Sequence, residues 1–181
     1  MREKGFGLVE LLMALAIAAI AVQWVSPTLS RYSESLRSAH AAQNLASGLR
    51  NARTEALLRN QKVVIHGVNG DWSQGWQITL DLNGRGHEDR SNPLLLERSA
   101  ASGVSIVGNR PVKHFVRFSS LGEPLLPSGA FQAGTLHICA SREAVSQHQV
   151  VLSRSGRISV RNDKAEQALC AQGEASEGAN A

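Results

Sequence analysis

Between Phe6 and Val25 the chain reads FGLVELLMALAIAAIAVQWV, and the only ionisable side chain in that run is Glu10. Roughly 20 apolar residues suffice for a helix to cross a bilayer. A carboxylate near the start of such a helix costs on the order of 2.5–3.5 kcal/mol on insertion scales, less near an interface, which marks Glu10 as a functional position. A short leader, Met1-Arg2-Glu3-Lys4-Gly5, precedes the run. Two plainer accounts compete. A secretory signal peptide would use Ala16-Ile17-Ala18 or Ala19-Ile20-Ala21 as a small-residue cleavage site, but Glu10 is foreign to such a region and the helical pattern continues past it. An unprocessed single-span anchor leaves Gly5-Phe6 and Glu10 without a role.

The 181 residues suit one domain plus an anchor helix. Aromatic residues are only 4% of the chain, so a soluble core must rest on Leu, Ile, Val and Ala. Charge is unevenly placed. The leader sets Arg2 and Lys4 against Glu3, and the tail from Asn162 sets Lys164 against Asp163, Glu166, Glu174 and Glu177, so a net +4 conceals a body of +6. A basic body favours polyanions as partners, although many basic surfaces only solubilise.

Beyond Pro27, Leu29, Tyr32, Leu36, Ala39, Ala42, Leu45, Leu49, Ala52 and Ala56 recur at three- or four-residue intervals, one apolar stripe on a long helix. The spacing predicts one helix from Phe6 to about Arg59, bent at Pro27 where it leaves the bilayer. Val-, Ile- and Leu-rich runs then predict strands at Lys62–Val68, Gly75–Leu82, Leu94–Arg98, Val104–Val107, Val112–Ser119, Thr135–Ala140, His148–Ser153 and Arg157–Arg161. The fold class is α+β, in five stretches: a leader (1–5), a transmembrane helix part (6–27), an amphipathic spine (28–60), a β-rich domain (61–172) and a small, acidic, disordered tail (173–181).

Few constellations carry chemistry. The loop Asp81–Asp89 places oxygens around Gly84 and Gly86 as a calcium loop would, but the spacing is not that of an EF-hand and Arg85 intrudes, so a polar turn is preferred. The six histidines show no metal-ligand spacing, and neither a nucleophile elbow nor a phosphate loop occurs. No enzyme, metal or cofactor is expected. Arg154-Ser-Gly-Arg157-Ile-Ser-Val-Arg161 is different. In a strand, Arg157, Ser159 and Arg161 share one face while Ile158 and Val160 enter the core, with Arg154 just before the turn at Gly156. Guanidiniums spread over about 15–20 Å can track a phosphate backbone. Lys113 and Arg117 join them if Val112, His114 and Val116 face inward. The plainer account is a solvated edge strand whose arginines prevent edge-to-edge aggregation.

A basic leader ending in Gly5, then Phe6-x-Leu8-x-Glu10-Leu11-Leu12 opening an apolar helix, resembles the type IV prepilin signature; Gly7 departs from its usual Thr. The resemblance implies cleavage between Gly5 and Phe6 by a prepilin peptidase and N-methylation of Phe6. It also implies a single-pass inner-membrane anchor and pairing of Glu10 with the Phe6 amine of a neighbouring pilin. Downstream, Leu49–Ala56, Gly75-Trp76 with Asp81, Phe118 with Gly122, Cys139, Gly156-Arg157 and Cys170 resemble the GspH/FimT family. The fold so implied is pilin-like: a long N-terminal helix, its inner half transmembrane and its outer half packed on a two-sheet antiparallel β domain. In the periplasm Cys139 and Cys170 would tend to pair; two free thiols remain the alternative. The function implied is that of a FimT-like minor pilin of the type IV pilus, with other pilins as partners; the rival is a GspH-like pseudopilin of a type II secretion system. Competence-linked FimT members carry Gly-Arg-x-Arg here and bind DNA without sequence preference; with no aromatic interleaving to stack a single strand, double-stranded DNA is the expected partner. This chain keeps Gly156 and Arg157 but has Ser159 in place of the second Arg; either Arg161 substitutes, or the contact weakens.

Overall fold

The computed structural model of the chain describes residues 7–89, 91–99, 103–140 and 144–171, with the backbone alone for residues 21–31. Gly5, Phe6 and the acidic tail 173–181 lie outside the described residues. One helix, α1, spans Leu8–Arg59 and is helical through Pro27. The chain divides into two compact units, Met1–Leu36 and Arg37–Ala181.

In the first unit Leu8, Val9, Leu11, Leu12, Met13, Leu15, Ile17 and Ile20 are all exposed. A helix apolar on every side belongs in a non-aqueous setting or among partner helices. Among the described residues, no helix is long and apolar enough to cross a membrane. Of the expected span Phe6–Val25, Phe6 and the side chains from residue 21 onward lie outside the described residues.

The second unit starts with the packed part of α1. The apolar stripe is buried from Ala42 through Leu45, Ala46, Leu49 and Ala52 to Ala56, whereas Tyr32 and Leu36, which precede the unit, are exposed. Small residues let the strands approach closely. A Cβ on Gly48 would meet the Trp76 indole at 2.7 Å, so glycine there is what seats that ring against the helix. The helix ends in a Schellman motif: Asn60 takes φ 51°, its N–H bonds Leu57 O, and the Gln61 N–H bonds Ala56 O at 3.2 Å.

Among the described residues nine strands follow: β1 Val63–Val68, β2 Asp71–Leu80, β3 Leu94–Ser99, β4 Ser105–Gly108, β5 Phe115–Phe118, β6 Gly134–Cys139, β7 Val145–Leu152, β8 Ile158–Arg161 and β9 Ala165–Glu166. They form two antiparallel sheets. The first has the order β3-β2-β1-β5, and the second β4-β6-β7-β8 with β9 also on β7. Inner-face residues of both sheets, among them Val63, Ile65, Ile78, Val116, Leu136, Ile138, Val150 and Leu152, share one core with α1. Asn69-Gly70, both at positive φ, make the two-residue turn between β1 and β2. Strand β2 therefore begins at Asp71, four residues earlier than the alternation from Gly75 suggests.

The expected strand Val112–Ser119 is shorter. Pro111, with fixed φ and no N–H, forms a 3-10 turn over Arg110–Val112, so pairing starts only at Phe115. The loops that cover β5 also correct the placement of Arg117. Val116 and Phe118 face the core, and Arg117 points to the other face of the first sheet, where loops cover it and leave it 6% exposed. Its guanidinium donates to Leu126 O at 2.7 Å and Leu125 O at 3.3 Å, and meets the fully buried Asp81 carboxylate at 3.4 Å. Arg117 is thus an internal cross-brace and not a surface contact for a polyanion.

Breaking a buried pair by removing one partner leaves an uncompensated charge, typically at a cost of about 3–5 kcal/mol. Arg117→Gln is therefore expected to lower unfolding stability by about that amount in urea denaturation, through the stranding of Asp81; a change below ~1 kcal/mol would contradict this placement.

Candidate nucleic-acid interface

The β7–β8 hairpin carries the arginine cluster. Its register pairs Leu152 with Ile158, Val151 with Ser159, Val150 with Val160 and Gln149 with Arg161. Ile158 and Val160 pack against the core, which turns Ser159 and Arg161 to the opposite face. Arg154, Arg157 and Arg161 are exposed. Among the described residues the two ion pairs are Arg59–Glu55 and Arg117–Asp81, so none of the three arginines has a carboxylate partner there.

The turn between the strands is built on Ser153. Its N–H donates to Arg157 O, its hydroxyl accepts from the Arg157 N–H, and its carbonyl accepts from the Gly156 N–H, each at 3.0 Å. Gly156 has φ 76°, and a Cβ there would stand 2.7 Å from Gly122 O and 3.1 Å from Arg53 Nε. Both conformation and space demand glycine. Helix α1 holds this turn. Arg53 donates from Nε to Gly122 O at 2.9 Å and from Nη2 to Ser155 O at 3.4 Å, and Arg50 reaches Ile158 O at 3.4 Å. These two helix arginines fix the hairpin that displays the exposed three. In the sequence they stand out only as part of the Leu49–Ala56 stretch that resembles the GspH/FimT family.

Lys113 is exposed but stands beyond β4, separated from β8 by β6 and β7. Its carbonyl and that of Val112 accept the Trp72 indole N–H at 2.9 and 3.1 Å. The structure does not bring it to the β8 edge.

Cys139 and Cys170 form a disulfide, which closes the chain over 31 residues and contributes about 3–4 kcal/mol in the chain-entropy model. The segment so tethered carries Gln167, whose side-chain amide lies 3.2 Å from His137 Nε2, while His137 Nδ1 lies 3.2 Å from Ser146 Oγ. The Ser146 hydroxyl donates to His148 O. With Ser146 committed in that way, the arrangement assigns a neutral imidazole that donates from Nδ1 and accepts from Gln167. Burial lowers the His137 pKa, in keeping with the neutral form.

In the Asp81–Asp89 loop the oxygens are already engaged. Asp81 Oδ1 accepts the Gly86 N–H at 2.8 Å, Asn83 contacts Asp89, and Asp89 accepts from the Ser91 hydroxyl and N–H. The Ser91 and Asn83 hydrogen bonds hold the Asp89 pKa down at about 2. Among the described residues, no group of three or more His, Cys, Asp or Glu is placed to hold a metal ion.

A profile of the family described as Type II transport protein GspH matches residues 41–156 of this chain. The chain belongs to the GspH family. Residues 1–22 match the prokaryotic N-terminal methylation motif. No curated protein sequence matches the chain. Among solved structures, the type IV minor pilin FimU of Pseudomonas aeruginosa is similar at 20% identity and a TM-score of 0.59, over 77% of this chain and 98% of that one. The minor pseudopilin EpsH of the type 2 secretion system of Vibrio cholerae is similar at 13% identity and a TM-score of 0.50, over 70% and 97%. The chain thus has a pilin-like fold, an N-terminal helix with antiparallel sheets packed on its outer half. The family match and the methylation motif are those of a GspH-type protein, and a minor pilin and a minor pseudopilin share its fold.

A histidine whose folded pKa lies below its unfolded value near 6.5 leaves the unfolded chain holding more protons in the window between the two. The stability it supports is complete above about pH 6.5 and falls as pH drops towards the folded value. His87 adds the same sign, its pKa lowered by burial and by His66. Urea midpoints are expected to decline below pH 6.5, and His137→Gln to flatten part of that decline; an identical pH profile in the variant would refute the role of His137.

Proposed function

We propose that this protein is a FimT-like minor pilin of the type IV pilus, whose β8 edge contacts double-stranded DNA without sequence preference during uptake. Prepilin peptidase cuts between Gly5 and Phe6 and methylates Phe6, and Phe6–Val25 anchors the subunit in the inner membrane. In the filament Glu10 neutralises the terminal amine of a neighbouring pilin. The protein itself catalyses none of these steps, and its β domain acts by presenting a surface from the periplasmic side.

The observation that carries the DNA reading is the state of the β8 edge. An edge strand needs charge to discourage pairing with another chain, but here Arg50 already occupies Ile158 O and Arg53 the adjoining Ser155 O. Arg154, Arg157 and Arg161 are left exposed without a carboxylate among the described residues, so edge protection does not account for them. The second reading, a pseudopilin of a type II secretion system, is favoured by the family description and by the likeness to EpsH. That role gives an exposed arginine row no evident use.

Two measurements test this reading. With the full chain in zwitterionic nanodiscs, Arg157→Gln and Arg161→Gln are each expected to lower the log–log salt slope of duplex DNA binding by about 0.9; unaltered slopes in both would remove β8 from the interface. For the anchor, Gly5→Leu is expected to leave an uncleaved precursor by mass spectrometry, and normal maturation of that variant would defeat the processing claim.

A further inference from the structure

Inner-face and outer-face residues of the second sheet separate cleanly by register. Ile106, Leu136, Ile138, Val150, Leu152, Ile158 and Val160 go to the core. The opposite face includes the rows Arg161–Gln149–His137–Val107 and Ser159–Val151–Thr135; beyond them lies Ser105–Cys139–Ser146, where the disulfide tethers the C-terminal segment. Gln149, Val151, Thr135 and Ser159 in its middle are uncharged and half-buried, and His137 is buried where Gln167 of the disulfide-tethered segment contacts it, so the open part of the face is the Ser159–Val151–Thr135 side.

Cations stand at both margins of this face. On the β8 side are Arg154, Arg157 and Arg161. On the β4 side Val107 borders a groove of about 590 Å³ whose other walls include Leu169, Arg110, Lys113, His114 and Asp71. Arg110 and Lys113 are exposed. Among the described residues Asp71 is the one acid lining the groove, and its two oxygens already accept from the Ser73 N–H and the Gln74 amide. Asp163 and Glu166 border one end of the face, with Lys164 between them. Three interstrand steps of about 4.8 Å separate β4 from β8, so the cationic margins lie roughly 14 Å apart before side-chain reach is added.

We propose that the outer face of the second sheet is a saddle for duplex DNA, with Arg157 and Arg161 on one phosphate backbone and Arg110 and Lys113 on the other. This rests on the reading of β8 as a phosphate-contacting edge, and it extends that edge to a two-sided site. The separation suits two backbones flanking a groove about 12 Å wide. A single strand has one phosphate row and can use only one margin, so the β4 margin makes the site selective for duplex.

The test compares a duplex with a single strand of equal length, titrated against the full chain in zwitterionic nanodiscs at several salt concentrations. The double variant Arg110→Gln/Lys113→Gln, with a urea midpoint equal to wild type as the folding control, is expected to lower the duplex slope by about 1.8. That makes duplex binding about tenfold less salt-sensitive between 50 and 200 mM. The single-strand slope is expected to stay unchanged. An unchanged duplex slope, or an equal fall on the single strand, overturns the saddle; if Arg157→Gln still lowers the duplex slope in that experiment, the β8 reading survives alone. Wild-type binding that Arg157→Gln and Arg161→Gln both leave unaltered overturns both.

Discussion

Backbone N–H and C=O groups at the border of an open sheet must find partners, and two small sheets have four borders. This fold meets that requirement with side chains. Gln132, fully buried, accepts the Arg117 N–H at 3.0 Å and donates to Phe115 O and Pro111 O at 2.9 and 2.7 Å, which closes the β5 border. Ser73 accepts the Ile106 N–H at 2.9 Å and thereby ties β4 to β2 of the other sheet. Arg50 takes Ile158 O on the β8 border. Each of these polar groups joins two layers that apolar packing alone would leave free to slide, because hydrophobic contact is non-directional.

The third of these closures links stability to the proposed function. Arg53 binds Gly122 O and Ser155 O together, and Gly156 is pressed against both Gly122 O and Arg53. The hairpin turn is therefore seated on the helix by two glycine-requiring approaches and a forked guanidinium. Exposed side chains on such a turn start from a restrained backbone, and less ordering is left to be done when a ligand binds. The Gly-Arg pair at 156–157 thus combines a packing residue with a display residue.

Much of this was legible in the chain. The small-residue stripe Ala42, Leu45, Leu49, Ala52, Ala56 announced the packed helix face, and the alternation around Ile158 and Val160 announced which way Arg157 and Arg161 would point. Asn69-Gly70 was a hairpin signal that alternation alone passed over, so β2 was read four residues too short at its start. Arg117 was misread because periodicity says which face a residue takes but not whether loops roof that face; the outer face of the first sheet is covered at β1 and β5, where Val64 and Arg117 are buried, although β3 is exposed. Gln132 and Ser73 gave no local signal, since a side chain that completes a border 15 to 33 residues away is specified by tertiary contact alone.

Ser159 can be understood from its neighbours. In the register it lies beside Val151 and Thr135, in the neutral row of the outer face, whereas Arg161 lies one row on, beside Gln149. Arg157 and Arg161 are four residues apart, about 13 Å along the strand. A guanidinium at Ser159 would sit about 6.7 Å from each, and three like charges so spaced on one strand repel unless a polyanion is present. With Ser159 neutral the strand keeps its two end cations at lower electrostatic cost to the unliganded fold. On the proposed reading it also forgoes one phosphate contact, so the charge for a stable complex with DNA would come from elsewhere on the same face.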